Sequence, residues 1–207
     1  MDGSKSKNNK KKEKIIISIV VIILIVSGII GYKINKENQY KKEIIDTSSQ
    51  MINLTVDCEK VINNYTSLWG GKIESNNSWT RGYIAQWIGI DPNNFICNTS
   101  PLKVNDKALT FNDVLRCYIE YNNNTGINSD LNDRMKKIDD KMKELNNPND
   151  KYKSAYDSLL KMYQSLSSFE KDAISPNGSL TSYKNEINKL DNEIVSNYNV
   201  FKTQLPN

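Results

Sequence analysis

The chain has 207 residues with 28 basic and 24 acidic side chains, three cysteines and no histidine. Lacking histidine, it has no Ser-His-Asp or Cys-His catalysis and no histidine-based metal site. Six lysines in the first 14 residues, against Asp2 and Glu13, account for the whole net charge of +4. The remainder is neutral and lacks the electrostatic footprint of nucleic-acid binding.

The basic tail (1–14) leads into an uncharged, mostly apolar run at 15–32. Eighteen residues at about 1.5 Å per residue give roughly 27 Å of helix, close to the thickness of a bilayer core. The lysine flank predicts a cytoplasmic N-terminus and an external remainder. A cleaved signal peptide is the alternative, but the run is too long and lacks an A-x-A site, so an uncleaved signal-anchor is expected. The lipid bilayer is then a partner.

Beyond the run, Tyr40, Ile44, Thr47, Met51, Leu54, Cys58, Val61, Tyr65 and Leu68 step by four and three. This seam predicts one helix running unbroken from about residue 14 to 69. Residues 70–108 hold Gly70-Gly71, Pro92, Pro101 and dispersed aromatics, and read as a loop-rich insert with a short helix near 81–88. Thr110 has the position of an N-cap for a helix ending at Asn122-Asn123-Asn124-Thr125-Gly126. The next helix starts near Ser129-Asp130 and carries Leu131, Met135, Ile138, Met142 and Leu145. After the turn at 147–150, Tyr152, Tyr156, Leu159, Tyr163, Leu166, Phe169 and Ala173 mark another. Ser179 caps the last, with Tyr183, Ile187, Leu190, Ile194, Phe201 and Leu205 on its apolar face. Short turns between amphipathic helices imply antiparallel neighbours.

The expected fold class is therefore all-α: a single N-terminal transmembrane helix continuing into an extracytoplasmic up-down antiparallel four-helix-type bundle (33–207) with a loop-rich aromatic insert. Asparagine is abundant at 29 residues, which reads as codon bias of an AT-rich, bacterial genome. Cys58, Cys97 and Cys117 allow one disulfide in three pairings, or three buried thiols, and the latter is favoured.

Catalytic motifs are lacking. Ser158-Leu159-Leu160-Lys161 and Ser168-Phe169-Glu170-Lys171 match S-x-x-K without the accompanying S-D-N and K-T-G. The segment 122–133 is rich in oxygen ligands but lacks EF-hand order. No enzyme activity, cofactor or metal is expected. The best candidate for an interaction surface is the aromatic set Trp79, Tyr83 and Trp87, set against burial in a satellite core.

Tyr156, Leu159-Leu160, Tyr163, the turn Ser175-Pro176-Asn177-Gly178-Ser179-Leu180, Tyr183, Ile187, Leu190 and Phe201 carry a resemblance. The chain resembles uncharacterised membrane- or lipid-anchored extracytoplasmic helical-bundle proteins of Gram-positive bacteria, over about half its length. The resemblance implies a surface-exposed bundle and no known activity. The function expected is a single-pass membrane-anchored cell-surface binding module, with a protein or cell-wall partner or a second copy of itself. The alternative is an extracytoplasmic small-molecule sensor acting through a signalling partner.

Overall fold

The computed structural model describes the backbone at 3–74, 79–95, 97 and 111–206, and the side chains of those residues from 31 onward except 111. Among the described residues there are six helices: α1 (Gly3–Glu74), α2 (Arg81–Trp87), α3 (Phe111–Asn124), α4 (Ile127–Leu145), α5 (Lys153–Ile174) and α6 (Leu180–Gln204). The chain divides into two compact units, Met1–Ile44 and Ile45–Asn207. The second is an all-α bundle, and everything described from here lies in it unless stated.

The apolar seams account for the bundle. Met51, Leu54, Cys58, Val61, Tyr65 and Leu68 of α1 are buried. So are Leu131, Met135, Ile138, Met142 and Leu145 of α4. Fully burying one such side chain contributes about 1.5–3 kcal/mol, and the seams repeat this on every helix. The chain direction follows from the polar contacts between helices. Asn64 of α1 meets Tyr118 of α3 and Asp57 meets Arg134 of α4, so α3 and α4 descend in tandem against α1. Ser158 meets Gln204, Ser165 meets Glu193 and Tyr183 meets the Asp172 carbonyl, so α5 and α6 are antiparallel.

The ends of the helices have local causes. Ser179 caps α6 in a capping box with Ser182. Gly126, at φ 78°, lets α3 pass into α4 in two residues, a backbone angle that favours glycine. The start of α4 is thus Ile127, not Ser129-Asp130. α1 passes through Gly70-Gly71 and ends at Glu74. The expected cap at Thr110 lies outside the described residues.

The membrane-anchored architecture is corrected. Among the described residues, no helix is long and apolar enough to cross a membrane. The backbone at 15–32 is part of α1, but the side chains up to residue 30 lie outside the described residues. From residue 31 the helix is amphipathic, with Lys33 and Lys36 exposed in the first unit and one apolar stripe buried in the second. An apolar run inside an otherwise amphipathic helix was too local a signal to set the topology. The transmembrane helix, signal-anchor, cytoplasmic N-terminus, extracellular domain and bilayer partner are withdrawn with it. The anchored cell-surface function and the sensor alternative assumed that topology and fall too. Nothing in the structure supports the protein, cell-wall or homo-oligomer partners either.

Candidate functional site

The aromatic insert is built around its tryptophans. Thr80 caps α2 by accepting from the Tyr83 backbone N–H at 3.2 Å. One turn of helix brings Tyr83 and Trp87 to one side, where they meet Trp79. Ring centroids lie 5.0 Å apart for Trp79 and Tyr83, 5.3 Å for Trp79 and Trp87, and 5.8 Å for Tyr83 and Trp87. Trp79 is fully buried, Tyr83 half-buried, and Trp87 is 45% exposed. The Trp87 indole N–H donates to Ser67 Oγ at 2.8 Å. Gly71 makes this approach possible, since a Cβ there would stand 2.8 Å from the Trp87 ring. The three candidates are thus together, but most of their surface faces one another and α1.

The insert is also tied to α3. Phe95 stacks on Tyr121 at 5.1 Å, and Cys97 forms a disulfide with Cys117. The expectation of three free thiols is therefore corrected. Only Cys58 is free, buried among apolar side chains that push its thiol up to about 12. It is an unreactive position, since the thiolate is the nucleophile.

A second site was not foreseen. Between α1 and the α3–α4 tandem lies a cleft of about 430 Å³, within the usual range for small-molecule sites. α1 contributes Asp57, Lys60, Val61 and Asn64, spaced by three and four along one face. α3 contributes Tyr118, the link contributes Thr125 and Gly126, and α4 contributes Ile127, Asp130 and Leu131. A smaller groove of about 150 Å³, lined by Gln50, Asn53, Arg134, Lys137 and Ile138, lies further along the same seam.

The electrostatics of the rim are largely internal. Asp57 accepts from Lys60 at 2.7 Å and from Arg134 at 2.7 Å, and these two cations hold its carboxyl below the usual range. Arg134 also reaches Asp130 at 3.3 Å. Asn64 Nδ2 donates to the Tyr118 hydroxyl at 2.8 Å. Burial pushes the Tyr118 phenol up, partly offset by the amides of Asn64 and Asn122 beside it.

Asp57, Asn64, Tyr118 and Asp130 escape notice in the sequence because the cleft joins positions up to 77 residues apart. On α1 they look like the ordinary polar border of a buried stripe. The 122–133 segment is the end of α3, a two-residue link and the start of α4. Among the described residues no group of acidic and cysteine side chains is placed to hold a metal. Asp139 and Asp140 share Lys143, at 2.6 and 3.1 Å, and Asp139 also accepts from Tyr163.

The comparisons with known proteins assign no family: no family model matches the chain, no curated protein and no solved structure matches it, and the expected kinship with anchored Gram-positive bundle proteins gains no support.

Proposed function

We propose that the chain is a non-catalytic ligand-binding bundle whose site is the cleft between α1 and the α3–α4 tandem. The observation that carries this is the cleft itself. It combines apolar walls (Val61, Ile127, Leu131) with a few converging polar groups (Asn64, Tyr118, Asp130), the composition usual for small-molecule sites. A binding role is favoured over catalysis by the state of its ionisable groups. A general acid or base works best with a pKa near the operating pH, whereas Asp57 is held low by its two cationic partners.

Ligand-observed NMR with a diverse fragment library, followed by competition against Asn64→Ala, tests this reading. Fragments that bind the parent chain and lose binding in the variant are expected. A library in which no fragment binds, or in which all bind the variant equally, would defeat it.

A second reading takes Trp87 as the centre of a contact surface, with Trp79 and Tyr83 holding its ring from behind. The half-exposed indole, fixed by Ser67, favours it, since ordered aromatics are enriched at binding hot spots. Hydroxyl-radical footprinting tests it. Equal oxidation of Trp87 in the purified protein and in a concentrated extract of its source cells would remove it.

A further inference from the structure

Behind the cleft wall stand polar atoms with no hydrogen-bond partner among the described residues: the Tyr65 hydroxyl and both amide atoms of Asn122. Both side chains are fully buried. The Asn122 amide lies beside the phenols of Tyr65 and Tyr118, close enough to favour their ionised forms. The Tyr118 and Tyr65 rings meet edge to face at 4.7 Å. The hydroxyl of Tyr118 accepts from Asn64, and both residues line the cleft. An amide and two phenols therefore form an under-satisfied polar group directly behind the cleft. Native proteins seldom leave such groups without partners, and water or a ligand is the usual completion.

The chemistry of this group selects a ligand. It contains no charged side chain, and Val61 and Leu131 lie on the same wall. An ion placed here would lose its hydration without gaining a countercharge. A hydroxyl both donates and accepts, as the phenol and amide do together. The C–H faces of a sugar or polyol would pack on Val61, Ile127 and Leu131. The Asp130 carboxylate at the rim would accept from an outer hydroxyl.

We propose that the cleft takes a neutral polyhydroxylated small molecule of about monosaccharide size, with one hydroxyl inserted at Tyr118 and Asn122. This rests on the cleft being the binding site, and the test separates the two claims. Glucose, glucosamine and glucuronate share one ring and differ in charge, so they serve as matched probes for saturation-transfer NMR titration on the full chain. Glucose should bind at least about tenfold more tightly than either charged probe. Asn122→Leu and Asn64→Ala should each weaken it by about tenfold, the order expected for one lost hydrogen bond. Should Asn122→Leu fail to fold, as judged by its melting transition, Asn64→Ala decides. Tighter binding of glucosamine or glucuronate, still sensitive to Asn64→Ala, overturns the ligand class and leaves the site standing. No transfer from any of the three at millimolar concentration, or transfer indifferent to Asn64→Ala, overturns the proposal. Fragments binding in the earlier screen would then still support the cleft.

Discussion

The α5–α6 hairpin and the seam of α1 with the α3–α4 tandem are built from similar heptad-like helices but close differently. Between α5 and α6 the contact is made by Phe169, Leu166, Leu159, Ile187 and Ile194, all buried, with polar pairs only at its margins. Along the other seam the residues that meet are Asp57 and Arg134, Asn64 and Tyr118, and the helices leave a cleft between them. Apolar surfaces gain by every atom brought together. Polar side chains need directional partners, which hold backbones apart at fixed points and leave space between. In this bundle the first kind of seam supplies stability and the second supplies a site.

If that division holds, the largest loss of stability belongs to the hairpin. Phe169→Ala deletes a fully buried ring and should cost about 3–5 kcal/mol, measured by urea denaturation. Breaking the Cys97–Cys117 link comes next. It closes a loop across 20 positions, which corresponds to about 3 kcal/mol on the loop-closure estimate. Dithiothreitol should lower the melting temperature of the parent chain and leave that of Cys97→Ser unchanged. Because Phe95 and the three clustered aromatics share the insert, tryptophan fluorescence should respond as well.

Which of these features the sequence displays follows from their range. The seams of α1, α4, α5 and α6 were legible because burial repeats every three or four residues within one helix. Ser179 was legible as a cap because its partner Ser182 is three residues away. The disulfide was not, since only the path of the insert brings Cys97 to Cys117. The cleft was hidden for the same reason: Asn64 and Tyr118 are 54 residues apart, and neither belongs to a motif. The run at 15–32 failed in the opposite way, as a strong local pattern in a helix that is amphipathic where its side chains are described.

Glu170 breaks the apolar rule of its own helix. Its side chain is buried on α5 with one carboxyl oxygen unpartnered, and burial raises its pKa above the ordinary 4.5. Between 4.5 and its raised value the folded chain binds more protons at this site than the unfolded one. Stability from this group therefore falls as pH rises through that window and is flat above it. Glu170→Gln removes the charge and keeps the shape. It should stabilise the protein at pH 8 by about 1 kcal/mol, the order of one buried polar atom left unpaired. The difference should shrink as the pH is lowered toward 4.5. A gain independent of pH would show that the carboxyl is solvated, and that the interior around Cys58 is wetter than the structure implies.

The smallest effect on stability is expected at the cleft rim, and it sharpens the comparison most. Asp57 is held low by Lys60 and then Arg134, so its contribution is present above the ordinary carboxylate range and is lost as pH falls through its depressed value. The pair with Arg134 is partly exposed, at 37% and 26% of the side chains. Solvent screening holds such pairs to less than about 1 kcal/mol. Arg134→Ala should therefore shift the urea midpoint only slightly. It also removes the side chain that ties α4 to α1 midway along the seam, between the cleft and the smaller groove. Amide exchange in α4 near Asp130 should quicken while exchange in α5 and α6 stays unchanged. If Arg134→Ala instead destabilises the whole bundle as much as Phe169→Ala does, the seam is a structural joint equal to the hairpin, and the cleft is a gap in packing with no separate role.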